Sequence, residues 1–214
     1  MEKITPGIVL KQEDRGEADK LITLFTPDGV ITAVMRGVKK TKAKLKFGAL
    51  PFAFMEYTLS VKGGNYTVTG CTVEESFFNV WTDVNKYSAS QIVLEALDKL
   101  SETGVSEVKN LVTAVRVLEE INYSSVTPYL YATYFLVSLL PQHGINVSEE
   151  DLPLKIARLL VGFYNASVEE LETLELSLND VIQSLTYLNL IYRERIGEKL
   201  NALLEALKIL NSMI

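Results

Sequence analysis

The spacing of apolar residues changes near residue 80, and this change limits the fold more than any other feature of the sequence. Residues 3–73 carry short apolar runs separated by turn residues, a pattern typical of antiparallel strands. Beyond Trp81 the apolar residues recur every three or four positions, as in amphipathic helices. We therefore predict an α+β chain with a strand domain at residues 1–78 and an α-helical domain at residues 79–214.

The strand region contains five apolar runs, at residues 4–10, 21–25, 30–35, 51–61 and 66–73. Pro27-Asp28-Gly29 predicts a hairpin turn between the second and third runs, because proline presets φ and glycine accepts positive φ. Gly63-Gly64 predicts a second turn between the fourth and fifth. Five short strands in so few residues indicate a small closed barrel. The pattern alone allows either an oligonucleotide-binding (OB) fold or an SH3-like barrel.

The helical region contains several apolar stripes. Residues 130–140 are apolar on nearly all sides and predict a central helix. The other stripes begin at Ile92, Val108, Ile156, Val181 and Ile196. We expect these segments to pack as an α-helical bundle.

The composition excludes several classes of protein. The longest nearly apolar stretch is residues 129–140, whereas a membrane-spanning helix needs roughly 20 residues. Residues 1–11 have no basic start followed by an apolar run, so we expect a cytoplasmic protein. Cys71 is the only cysteine, so an intrachain disulfide is impossible and a soft-metal site lacks ligands. We expect no metal and no cofactor.

Catalytic motifs are absent from the sequence. Neither the phosphate-binding Gly-x-x-x-x-Gly-Lys-Ser/Thr loop nor the Gly-x-Ser-x-Gly nucleophile turn occurs. His143 is the only histidine and precedes Gly144, where a helix is predicted to end. A Cys71 and His143 pair would have no identifiable third group to orient it. We predict that the chain is not an enzyme and has no catalytic residues.

Basic residues are concentrated in one segment despite a net charge of −6. Residues 1–80 hold 11 basic and 9 acidic residues, and residues 81–214 hold 10 and 18. The basic segment, residues 36–46, contains six cations and no acid, which is a candidate phosphate-binding surface. Its cations are Arg36, Lys39, Lys40, Lys42, Lys44 and Lys46. If the segment is extended, the alternating lysines point to one side and can follow a phosphate backbone; the alternative is a solvated surface loop.

Aromatic residues follow the basic segment closely. They are Phe47, Phe52, Phe54, Tyr57 and Tyr66. Aromatic rings that face the basic segment can stack on unpaired bases. We expect most of these five rings to lie in the barrel core instead.

Two parts of the chain carry a family resemblance. Gly7-Ile8-Val9-Leu10, the run from Gly16 to Thr26, and Arg36-Gly37-Val38-Lys39-Lys40 together resemble the start of the RecO family. Residues 135–145 resemble that family's Phe-x-Leu-Arg-Leu-Leu helix, with Ser138 in place of the usual arginine. The resemblance implies an N-terminal OB fold and a C-terminal helical domain. Many members then carry a four-cysteine zinc module, which a chain with one cysteine cannot form.

The resemblance also implies a function. RecO proteins are DNA repair and homologous recombination mediators that bind single- and double-stranded DNA, anneal complementary strands and help load recombinase onto DNA coated by single-strand-binding protein. The implied partners are RecR and the acidic C-terminal tail of single-strand-binding protein. The partner site would need cations beside apolar helical stripes, and the candidates are Lys109, Arg116, Lys155 and Arg158. The alternative is a protein-protein adaptor whose OB-like barrel has lost its affinity for DNA.

Overall fold

The N-terminal region forms a closed five-stranded barrel. The computed structural model describes residues 1–101, 106–148, 150 and 152–212. In this part of the chain the strands are β1 (Glu2–Arg15), β2 (Asp19–Thr26), β3 (Gly29–Met35), β4 (Phe54–Lys62) and β5 (Asn65–Glu75). They close in the order β1-β2-β3-β5-β4, and only β3 and β5 pair in parallel. This topology is that of an OB fold, which resolves the choice that the sequence pattern left open.

Alternation along the strands builds the barrel core. In β3, for example, Ile31, Ala33 and Met35 are buried, whereas Thr32 between them is exposed. The buried set is Val9, Ile22, Leu24, Ile31, Ala33, Met35, Val38, Ala49, Ala53, Met55, Tyr57, Leu59 and Val68. Removing this apolar surface from water is the main favourable contribution to barrel stability.

The first strand is longer than the sequence predicts. Its apolar run ends at Leu10, but β1 continues to Arg15 and pairs with β2 as far as Asp19. A register shift between Val9 and Lys11 marks the start of this extension. The polar residues after Leu10 have the composition of a loop, yet pairing with β2 holds them in a hairpin. The tip of this hairpin, residues 14–19, is used below.

Six α-helices occur in the described residues after the barrel. They are α1 (Val84–Leu100), α2 (Val108–Tyr123), α3 (Pro128–Leu139), α4 (Leu154–Asn165), α5 (Leu178–Ile191) and α6 (Asn201–Asn211). Helix α3 is the most buried, as its apolar circumference predicts. The hydroxyl of the buried Tyr192, just after α5, donates to the Leu136 carbonyl of α3 at 2.7 Å. The predicted helical region is thereby confirmed.

The chain divides into two compact units. The barrel unit comprises Met1–Phe77 and Leu97–Val115, and the helical unit comprises Phe78–Ala96 and Arg116–Ile214. The C-terminal end of α1 and the first half of α2 therefore belong to the barrel unit. The domain limits of 1–78 and 79–214 stay a prediction from the sequence.

None of the helices in the described residues combines the length and the apolar character needed to cross a membrane.

Candidate nucleic-acid interface

A surface groove of about 1040 Å³ lies on the barrel unit along β3 and β5. These two strands share only two residue pairs, Ala33 with Tyr66 and Val34 with Thr67. Residues of both strands on and beyond this short ladder line the groove. Parts of β2 and of the turns after β1 and β4 complete its walls. This is the face on which OB folds bind oligonucleotides and oligosaccharides.

The groove is lined by cations and neutral polar groups. Arg15, Arg36 and Lys62 line it, and no carboxylate does so among the described residues. None of these three cations forms an ion pair with another described residue. The neutral polar lining is Thr32, Ser60, Asn65, Thr67 and Thr69. Such a lining suits an anion that also accepts hydrogen bonds, as a phosphate backbone does.

Strand ends bring the three cations together. Arg15 ends β1 beside Gly16, Arg36 follows β3 beside Gly37, and Lys62 ends β4 beside Gly63. All three glycines have positive φ, at 65°, 63° and 55°, so each turn depends on a residue without a side chain. Sequence reasoning selected Arg36 but missed Arg15 and Lys62. The available signal was a cation directly before a turn glycine at a strand end.

The basic segment folds into consecutive turns. The Lys40 amide donates to the Gly37 carbonyl at 3.1 Å, and the Ala43 amide donates to the Lys40 carbonyl at 3.0 Å. A 3₁₀ helix, Lys46–Ala49, ends the segment. The segment is therefore not extended, because hydrogen bonds between residues three apart close its backbone into turns. The alternation of lysines does not align them on one side of a strand.

The cations of the basic segment differ in their partners. All six are exposed. The Lys39 ammonium donates to the Asp14 carboxylate at 2.6 Å. The other five form no ion pair within the part of the chain that the structure describes: Arg36, Lys40, Lys42, Lys44 and Lys46. Arg36 also lines the groove, so the basic segment begins at the groove wall.

The aromatic residues near this surface are divided between core and solvent. Phe52 and Tyr57 are fully buried and Phe54 is half-buried, so two of the five rings are fully buried, whereas we expected most of them to lie in the core. The Tyr57 hydroxyl donates to the Gly48 carbonyl at 2.9 Å, and burial raises the pKa of Tyr57 far above its ordinary value. Phe47 is 67% exposed, and Tyr66 is half-buried in the groove wall. Of the five rings, Phe47 is therefore the most open to solvent and Tyr66 lines the groove.

The four cations predicted to bind partner proteins are divided between the units. Lys109 belongs to the barrel unit, and Arg116, Lys155 and Arg158 belong to the helical unit. All four are exposed. Arg116 pairs with Glu169 at 3.2 Å, and Lys155 pairs with Asp180 at 2.7 Å.

Cys71 and His143 lie in different units, on β5 and after α3 respectively. Burial raises the pKa of the Cys71 thiol, which lowers its thiolate fraction and hence its nucleophilicity. Within the described residues, no group of three or more His, Cys, Asp or Glu side chains is arranged to hold a metal ion.

The barrel topology and the position of the groove define the class of this protein: it is an OB-fold protein with a helical region after the barrel. Residues 1–77 match the family model described as "Recombination protein O N terminal". Residues 1–77 of the chain therefore carry the N-terminal domain of the RecO family.

Similarity to curated relatives extends beyond the barrel. The chain is 33% identical over 101 residues to DNA repair protein RecO of Alkaliphilus metalliredigens, covering 47% of this chain and 41% of the relative. Identity to RecO of Desulfitobacterium hafniense is 37% over 93 residues, covering 43% and 34%. Identity to RecO of Streptomyces griseus is 30% over 154 residues, covering 68% and 62%. The chain thus matches less than two thirds of the length of each of these relatives.

Proposed function

We propose that this protein is a DNA repair and homologous recombination mediator that binds DNA on its barrel and catalyses no bond change. One observation carries the proposal: Arg15, Arg36 and Lys62 line a groove without a carboxylate, and Arg36 also begins the basic segment, in which Lys39 alone has a carboxylate partner among the described residues. The names of its relatives support a role in DNA repair. The proposed site of action is the cytoplasm.

The proposed contacts are ionic at the phosphates and stacking at the bases. Arg15, Arg36 and Lys62 would hold phosphates in the groove, where hydroxyl and amide groups donate further hydrogen bonds. The lysines of the basic segment would extend this contact: Lys40, Lys42, Lys44 and Lys46. Tyr66 and Phe47 would stack on unpaired bases of a single strand, while the phosphate contacts would serve double-stranded DNA as well.

Annealing of complementary strands follows from the same surface. Two phosphate backbones repel each other, and a row of unneutralised cations offsets that repulsion while it releases condensed counterions. No proton transfer or nucleophile is needed. The proposed outcome is a mediator that pairs strands and helps load recombinase onto DNA coated by single-strand-binding protein.

RecR and the acidic tail of single-strand-binding protein are the proposed protein partners. The candidate contacts for an acidic tail are Lys109, Arg116, Lys155 and Arg158. The ion pairs of Arg116 and Lys155 are compatible with this role, because an exposed pair is worth about 0–1 kcal/mol and can exchange its carboxylate.

The proposal is tested by titrating the full chain against labelled single-stranded and duplex oligonucleotides at several salt concentrations. The logarithm of the binding constant should fall linearly with the logarithm of salt concentration. Arg36→Ala should weaken binding and reduce that slope by about 1. Lys3→Ala is the matched control, because Lys3 lies on the same barrel but pairs with Asp28 at 2.6 Å. Binding that is absent, or unaffected by salt and by Arg36→Ala, would favour the protein-protein adaptor.

A further inference from the structure

The tip of the β1–β2 hairpin is bonded to the start of the basic segment. The Asp19 carboxylate accepts from the Gly37 amide at 2.7 Å, and the Ala18 carbonyl accepts from the Lys39 amide at 2.9 Å. The Lys39 ammonium donates to the Asp14 carboxylate at 2.6 Å. A longer bond of 3.5 Å joins the same ammonium to the Gly16 carbonyl, so four bonds connect residues 14–19 to Gly37 and Lys39, which are far from them in sequence.

These bonds determine the path of the chain next to the groove. Gly37 directly follows Arg36, which lines the groove, and it adopts a positive φ of 63°. The Asp19 carboxylate accepts a hydrogen bond from the Gly37 amide and so holds Gly37 in its left-handed conformation. The direction in which the backbone leaves β3, and hence the placement of Arg36, depends on the hairpin tip.

Lys39 is electrostatically different from its neighbours in the basic segment. Asp14 neutralises its ammonium, so Lys39 adds little net field toward a polyanion. The hydrogen bond from Lys39 lowers the pKa of Asp14 below its ordinary value, because it stabilises the ionised carboxylate. If a phosphate took the ammonium instead, Asp14 would be left as an unpaired negative charge facing the DNA.

We infer that the hairpin tip, residues 14–19, positions the DNA-binding surface and that Lys39 is a positioning residue rather than a phosphate contact. This inference rests on the proposed function, because it assigns roles within the same site. It places two acidic residues, Asp14 and Asp19, among those required to bind a polyanion.

The direction in which Asp14→Ala changes the affinity for DNA distinguishes a positioning role of Lys39 from a phosphate contact. Asp14→Ala removes a negative charge beside the site and would strengthen DNA binding if its only effect were to free Lys39 for a phosphate. A positioning role predicts the opposite, a loss of about fivefold in affinity for a labelled single-stranded oligonucleotide. Tighter binding by Asp14→Ala would overturn the inference.

The barrel offers a matched control for this measurement. Asp28 pairs with Lys3 at 2.6 Å, and the two side chains are 63% and 27% exposed. The corresponding values for Asp14 and Lys39 are 62% and 30%, at the same distance. Asp28→Ala therefore makes the same change in charge and breaks a similar ion pair away from the basic segment. Its affinity for the oligonucleotide should equal that of the wild type or exceed it slightly.

A second pair of variants tests Lys39 itself. Lys39→Gln keeps an N–H donor for Asp14 but loses the charge, whereas Lys39→Ala loses both. Positioning predicts binding within about twofold of wild type for Lys39→Gln and a loss of about fivefold for Lys39→Ala. Equal losses would identify a phosphate contact and overturn the inference. Arg36→Ala and Lys42→Ala belong in the same series, because if neither weakens binding the proposed function itself fails.

Discussion

The two units of this molecule treat their surface cations differently. In the barrel unit, Arg15, Arg36 and Lys62 line a groove without a carboxylate among its described residues. In the helical unit, several exposed cations are matched by carboxylates at short distances. These pairs are Arg116 with Glu169, Lys155 with Asp180, and Arg195 with Glu150. The barrel unit also has ion pairs, those of Lys3 with Asp28 and of Lys39 with Asp14, but it leaves the groove cations and most of the basic segment without a carboxylate partner among the described residues.

The difference teaches that net charge is a poor guide to where a polyanion binds. The chain as a whole carries −6. Interactions between exposed charges are screened beyond about 8–10 Å at ordinary salt. A phosphate therefore responds to the local cations of the barrel surface much more than to acids elsewhere on the chain.

The largest expected effect comes from reversing charges in the barrel unit. Changing Lys40, Lys42, Lys44 and Lys46 to glutamate should weaken oligonucleotide binding on the order of 100-fold or more at low salt, because ionic contacts supply most of the affinity. The matched control changes Lys155, Arg158, Arg193 and Arg195 to glutamate, which alters the net charge equally. It should reduce affinity much less in the same anisotropy titration. Similar losses from both variants would mean that overall charge, and not the barrel surface, governs binding.

Two glycine-to-alanine substitutions, one in each unit, should have opposite effects on stability. An added Cβ on Gly48, which follows the basic segment, would lie 2.6 Å from the Cys71 Sγ and 3.1 Å from the Met35 Cε. Gly48→Ala should therefore destabilise the protein by about 1–3 kcal/mol in urea unfolding. Combining it with Cys71→Ala should recover part of that loss. An unchanged urea midpoint for Gly48→Ala would contradict the tight packing described.

Gly162 provides the opposite case in the helical unit. It lies inside α4, and an added Cβ would meet nothing within 4 Å. Gly162→Ala should stabilise the protein by about 0.5–1 kcal/mol, because alanine loses less backbone entropy in a helix. The same urea experiment measures both substitutions, and destabilisation by Gly162→Ala would be inconsistent with an open helical surface.

The smallest expected effect concerns acidic crowding in the helical unit. Partial burial, followed by repulsion from Glu172, raises the pKa of Glu120. The folded state therefore binds a proton more readily than the unfolded state, so this residue costs stability at neutral pH and less as pH falls through the raised pKa. Glu120→Gln should stabilise by no more than about 0.5 kcal/mol at neutral pH, since solvent screens a partly exposed carboxylate. Thermal unfolding at neutral and acid pH checks this, because the gain should vanish in acid.

Glu119→Gln is the control for that measurement. It removes the same charge from an exposed neighbour on α2. If both variants gave the same stabilisation, general repulsion and not the surroundings of Glu120 would be responsible.

Much of the fold could be predicted from the sequence because its signals are local. The Pro27-Asp28-Gly29 turn and the alternation in β3 are properties of neighbouring residues, and the structure confirms both. The apolar stripes likewise predicted the helical region, and the structure confirms it with α1 to α6. The polar half of β1 was missed because pairing with β2, and not apolar alternation, keeps it extended.

The candidate site was only partly predictable, for a related reason. The cluster at residues 36–46 is contiguous in sequence, so its charge was evident. Its turns, in contrast, depend on hydrogen bonds between specific backbone groups, so the sequence left open whether the segment is extended or a loop. Phe47 and Tyr66 could not be distinguished from core rings until burial was known.

The amino-acid order by itself determined the strand and helix segments, the basic segment and the family motifs, because each depends on residues close together in the chain. Only the tertiary structure decided that Arg15 and Lys62 join Arg36 along one groove, and that Asp14 takes the charge of Lys39. These arrangements depend on which strands pair and where their turns meet. Barrel closure sets those distances between residues that the sequence keeps far apart.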